Sequence, residues 1–389
     1  MAYSPSKVEE APVNGLVFTN EAPEQEDDKP FDEFMQKPTT LPADLVITLT
    51  NFADEQDAHR CANVVRGYLE VFGRLMDLSR LDRVYITFDY AGTLASIDLG
   101  TGSDMLLKPT NDEIATGVAM APSVLREDGW KSVIVVNASY ARSLSYEIVG
   151  SDNVSKEQLD ALRAETLHIL AHECGHVHDH EMQRKSLPAE TYSKKWNPIE
   201  HRLKEPAMAC WGEYIAEFMG AGFGTKDTLR NYENAFCDRL KAAWPGVTAS
   251  IRQYRMHGNV DQVISEVGIH IRNIIIYAAY MMGYLSKTKQ SLESSVPKVI
   301  QAAKDNPEFG SYTKRLHDEL HGLQDRYPDF TTLDVFTPLS EVVHDMYKKV
   351  GMYFIENADG SLRVEIPHRT DTMPSVAEQV EFIWKAVNH

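Results

Sequence analysis

The chain has 389 residues, long enough for one large or two ordinary domains with a sizeable core. Its 39 basic and 57 acidic residues give a formal charge of −18, which argues against a nucleic-acid surface, because phosphate binding depends on clustered lysine and arginine. Four cysteines without C-x-x-C spacing, an N-terminus without an apolar leader, and a longest apolar run of only residues 274–285 argue against a disulfide framework and a membrane span; a cytoplasmic protein is expected, with leaderless export left open.

Residues 1–40 hold nine acidic residues, three lysines and several prolines, and read as a disordered acidic arm, the other reading being a pro-segment across a cleft. Order begins near Leu41 with a strand over 45–49, a helix over 54–78 and a strand over 83–88. Short segments over 94–99 and 117–121 read as further strands before a strand over 133–136. Ser155 and Gln158 then form a capping-box start. Leu159, Leu162, Leu167, Leu170, Ala171, Cys174 and Val177 follow at helical spacing, so a long amphipathic helix is expected through about Arg184.

Within that helix stands His172-Glu173-Cys174-Gly175-His176, an H-E-x-x-H pentad. Positions four apart lie on one helix face, so both imidazoles can reach one metal ion with Glu173 beside them, the minimal equipment of a zinc hydrolase. His168 and His180 extend a ladder at intervals of four, but the rival pair His176 and His180 lacks a glutamate after its first histidine. A catalytic zinc takes three protein ligands and leaves a fourth position for water. The pattern H-E-x-x-H-x-x-G-x-x-H is absent, since Asp179 and Met182 occupy the glycine and third-histidine positions. The third ligand is sought on a second helix, read as opening at Glu205-Pro206 and closing at Gly220, Gly222 and Gly224. Glu213 and Glu217 share one face there. Glu213 is the candidate third ligand to a single Zn2+, and Glu217 the carboxylate that would accept the free N–H of a ligating histidine.

After Gly224 helices are expected over 226–244, 248–256, 260–285, 291–304, 310–326 and 332–350. A hairpin over 353–355 and 362–366 and a last helix over 375–387 follow. The helix over 260–285 is apolar except for a stripe of Glu266, His270, Asn273, Tyr277, Tyr280 and Tyr284, which must face polar partners or a wet cavity. Three parts result: the acidic arm 1–40, a part over 41–225 carrying the pentad and third-ligand helices, and a helical part over 226–389 completing the cleft. The fold class is α+β, a small mixed sheet with the metal helix packed beneath it.

With its pentad helix followed by Glu213-x-x-Ala216-Glu217, the chain resembles the gluzincin clan of metallopeptidases, with Glu217 standing where the clan usually has aspartate. Asn137-Ala138-Ser139-Tyr140 resembles the Asn-Ala-x-Trp of thermolysin-like members, which implies that Asn137, Ala138 and Tyr140 lie on a substrate-binding edge strand. The resemblance implies a zincin-like fold and hydrolysis of peptide bonds by a zinc-activated water, with Glu173 as general base and a downstream histidine or tyrosine at the oxyanion, here His270 and Tyr277. A peptide or protein substrate is implied, with neither nucleic acid nor membrane as partner. The oligomeric state is not legible. The rival readings are a narrow regulatory protease of a single partner protein and a catalytically silent binding protein with a zincin fold.

Overall fold

The computed structural model describes residues 29–102, 106–110, 117–145, 155–188, 191 and 196–388. The chain separates into two units, residues 1–38 and 39–389. The first contains helix α1 (Lys29–Gln36) within the segment expected to be a disordered arm; residues 1–28 lie outside the described residues.

The second unit begins with strand β1 (Val46–Thr50), helix α2 (Glu55–Phe72), strand β2 (Leu81–Thr87) and helix α3 (Tyr90–Ser96). Asp54 caps α2 by accepting the Gln56 and Asp57 N–H groups, which fixes its start. The segment over 94–99, expected as a strand, instead ends helix α3 at Ser96 and is irregular from 97 to 99: Asp89 accepts the Gly92 N–H at 2.9 Å, and Tyr90 and Leu94, four apart, bury one helical face with Val135. Strands β3 (Ala119–Met120), β4 (Ser123–Arg126) and β5 (Gly129–Asn137) and the short helix α4 (Ala138–Ala141) complete the sheet region. The sheet order is β1-β2-β5-β3, with β4 also on β5. β1, β2 and β5 are parallel, while β3 and β4 run antiparallel to β5. The two-residue period of β5 sends Ile134 and Val136 into one core with α2 and the metal helix, and Val135 to the opposite face with α3.

Helix α5 (Lys156–Ser186) starts at the Ser155/Gln158 capping box, as read from the sequence. Helix α6 (Pro198–Gly220) starts earlier than expected: Asn197 and Glu200 form its capping box, Pro198 opens it, and Pro206 is an interior residue. Helix α7 (Lys226–His257) is one rod where two were expected, since Pro245 is carried inside it. An interior proline forfeits one helical hydrogen bond, and here the long packing of α7 on helix α8 (Val260–Lys287) holds the rod together. Helices α9 (Leu292–Ser295) and α10 (Pro297–Asp305) replace one expected helix, with Val296 out of helical geometry before Pro297. Helices α11 (Ser311–Gln324) and α12 (Thr337–Lys349), the hairpin of β6 (Tyr353–Glu356) and β7 (Leu362–Glu365), and helix α13 (Val376–Asn388) follow the expected pattern.

The unit is α+β with two main cores. One lies between the sheet, α2 and α5; the other is built by α6 to α12. The pentad helix therefore belongs to the sheet core, whereas the Glu213 helix belongs to the helical core. Among the described residues no helix is long and apolar enough to cross a membrane.

Candidate metal centre

The site forms where α5 crosses α6. At the crossing Gly175, the second x of the pentad, faces the α6 backbone so closely that a Cβ there would lie 2.7 Å from Ala216 Cα. This approach brings Glu213 under the two histidines. His172 Nε2 lies 3.2 Å from Glu213 Oε2, His176 Nε2 lies 3.3 Å from the same oxygen, and the two ring nitrogens are 3.1 Å apart. These three atoms form a nearly equilateral triangle of facing lone pairs. Ligands about 2.0–2.1 Å from a tetrahedral zinc stand about 3.3 Å from one another, so the spacing and the donor set fit one such ion. His172, His176 and Glu213 are thus the residues that could hold it.

The surrounding groups orient these candidate ligands. Glu217, fully buried, accepts from His172 Nδ1 at 3.3 Å and from the Tyr232 hydroxyl at 2.9 Å on a single oxygen, Oε2, and His168 Nε2 lies 3.2 Å from that oxygen. The His172 Nδ1–H is thereby directed at a carboxylate and its Nε2 lone pair left for a metal. Burial opposes the charge on Glu213, but the His176 and His172 rings hold its carboxyl well below the usual range. Burial likewise opposes a charged His172, and hydrogen bonds to Glu213 and Glu217 outweigh it, raising the ring to about 10. One proton is thus held among three groups whose lone pairs would otherwise face one another. A cation in its place satisfies the same three atoms.

Glu173 is buried beside the ligands, and its carboxyl is raised by burial, although His176 and His172 pull it down. It borders a cleft of about 470 Å³ together with all three ligands. From α8 the cleft receives Arg272, Asn273, Ile276, Tyr277 and Tyr280. The Tyr280 ring is 5.7 Å from His172 and stacks on Tyr232 at 5.4 Å; burial, then the charges of Glu213 and Glu173, hold its hydroxyl well above the ordinary tyrosine range. Tyr277 lies edge-on to Tyr280 with Arg239 over its face. His270 is elsewhere: its ring fills the notch of Gly246 on α7, where a Cβ would stand 2.3 Å from His270 Cε1, and it does not line the cleft.

The edge expected of β5 is not open. β5 is paired on both sides, by β2 and by β3 and β4, so Asn137, Ala138 and Tyr140 present no free edge. Asn137 Oδ1 caps α4 by accepting the Ser139 N–H, Ala138 is fully buried, and the Tyr140 carbonyl accepts from Thr166. The edge beside the metal centre is β3. Its Ala119 and Met120 pair with Val136 and Val135, and Val118 to Pro122 form one wall of the cleft. Because successive residues of a strand point their N–H and C=O groups to opposite sides, and the Val118 and Pro122 carbonyls accept from β5, Ala119 and Ala121 turn theirs outward.

Glu217 lies where the sequence spacing put it. The strand expected over 117–121 is present as β3, but its place on the cleft wall is set by long-range pairing, and Tyr232 carries no sequence signal that separates it from the core aromatics of its helix. No family model, curated protein or solved structure matches the chain.

Proposed function

We propose that the chain is a zinc-dependent metallopeptidase of gluzincin type with a zincin-like fold, cutting a peptide bond in a peptide or protein. The observation that carries the reading is the convergence of His172, His176 and Glu213 within 3.1–3.3 Å at the floor of an open cleft, with Glu173 buried beside them. A bound zinc lowers the pKa of a coordinated water to roughly 7 and polarises the scissile carbonyl. Glu173 takes the water proton and returns it to the leaving amine; its burial raises its basicity toward that role. Tyr280, whose hydroxyl is held well above the ordinary tyrosine range, and Tyr277 both line the cleft and can donate to the charge that develops on the carbonyl oxygen. The outward groups of Ala119 and Ala121 suit an extended peptide that adds to β3 as a further strand.

Glu173→Gln tests the reading against a binding protein that turns nothing over. A peptidase keeps its zinc and loses hydrolysis of an unfolded protein such as β-casein by several orders of magnitude, as expected for removal of the base. Equal cleavage by both proteins, or none by either, removes the proposal.

A further inference from the structure

One turn of α5 beyond His176, the His180 ring is tied to the sheet by one nitrogen. Its Nδ1 lies 3.1 Å from Ser132 Oγ on β5 and 3.2 Å from Ser123 Oγ on β4. Ser132 is fully buried, and its hydroxyl has no other acceptor among the described residues. Ser123 Oγ already accepts from Arg184 Nη2 at 3.1 Å, which leaves its own proton to give. A buried hydroxyl without an acceptor costs about 1–3 kcal/mol, so Ser132 donates and Nδ1 carries the lone pair. A ring with one accepting nitrogen is neutral, and its proton is on Nε2. No described residue accepts from Nε2. The half-buried ring forms part of the cleft wall together with Ala121 and Pro122, at the end of the outward edge of β3.

Resting on the peptidase reading, we infer that His180 is a substrate-binding residue: a neutral imidazole of fixed tautomer whose Nε2–H donates to a backbone carbonyl oxygen of a peptide lying along β3. Its two serine partners sit on the strands that frame this edge, so the donor is held in place before substrate arrives and forms no part of the metal shell. A lysine or a protonated histidine at this point would attract anions. A neutral donor instead selects an uncharged carbonyl.

Two measurements test this. Long-range 1H–15N spectra of the zinc-loaded protein labelled at histidine, with His180 assigned through His180→Gln, are expected to show the Nε2–H tautomer; an Nδ1–H tautomer or a doubly protonated ring overturns the inference and leaves the peptidase reading intact. Binding of fluorescent β-casein is then compared between the zinc-loaded Glu173→Gln protein and the same protein carrying His180→Ala or His180→Gln. Alanine is expected to weaken binding roughly three- to tenfold, the range of one neutral hydrogen bond, with zinc content unchanged, and glutamine, which keeps an N–H donor, to restore most of it. Equal affinities, loss of zinc with His180→Ala, or no recovery with glutamine overturn the inference. A Glu173→Gln protein that does not bind β-casein at all overturns the peptidase reading and this inference together.

Discussion

At the scale of single residues, Glu217 shows how the site is prepared. Its Oε2 serves two donors, His172 Nδ1 and the Tyr232 hydroxyl. Glu217→Ala removes the group that orients His172 and is expected to weaken zinc binding ten- to a hundredfold, the common cost of losing such a support, measurable by competition with a chromogenic chelator. Unchanged affinity would mean that packing alone orients the ring. His178, on the opposite side of α5, sets a pH dependence of folding. Its Nδ1 accepts the Asp77 N–H at 2.8 Å, and burial pushes its pKa down to about 4 from 6.5. The ring stays neutral in the fold while the unfolded chain takes up a proton below about 6.5. This contribution is therefore complete above pH 6.5 and is lost as pH falls through 4, an effect on the order of 3 kcal/mol at most. The urea midpoint is expected to fall from about pH 7 to about pH 4.5, and less steeply in His178→Asn, which keeps an acceptor that does not titrate. Identical slopes would assign the acid sensitivity to other groups.

At the scale of elements, the crossing of α5 and α6 governs the ligand geometry. Gly175→Ala places a methyl 2.7 Å from Ala216 Cα, so the two backbones must separate. A destabilisation of about 1–3 kcal/mol is expected, with weaker zinc binding because Glu213 moves with α6. A variant with wild-type melting temperature and zinc affinity would contradict this account of the crossing. The same level explains what the sequence could say. His172, Glu173, His176, Glu213 and Glu217 were legible because each set lies on one helix, where chain spacing is spatial spacing. The position of His270 was not legible, because its stripe on α8 is divided between two neighbours: Tyr277 and Tyr280 meet the cleft while His270 meets Gly246 of α7. The start of α6 expected at Glu205-Pro206 and the break expected between 244 and 248 are absent because tertiary packing holds Pro206 and Pro245 inside helices. The edge role expected for β5 failed because strand order is a long-range property, and β3 and β4 pair along the side read as open.

At the scale of the whole molecule, the candidate metal centre joins two cores. Its histidines ride on a helix of the sheet core and its glutamate on a helix of the helical core. Trp211, two residues before Glu213, is fully buried against Tyr327, Phe330 and Phe336, all far downstream. A fragment of residues 39–225, although it contains every proposed ligand, would expose this face of α6. It is expected to lack a cooperative unfolding transition and to bind zinc far more weakly than the full chain. A fragment that folds and holds zinc as tightly would show that the helical core is dispensable. The most direct measurement on the central claim is zinc stoichiometry by inductively coupled plasma mass spectrometry on the full chain and its variants. The account predicts one zinc per chain in the wild type and in Glu173→Gln, and its loss in His172→Ala and in Glu213→Ala. A wild-type chain that takes up no zinc, or a Glu213→Ala chain that retains it with undiminished affinity, contradicts it.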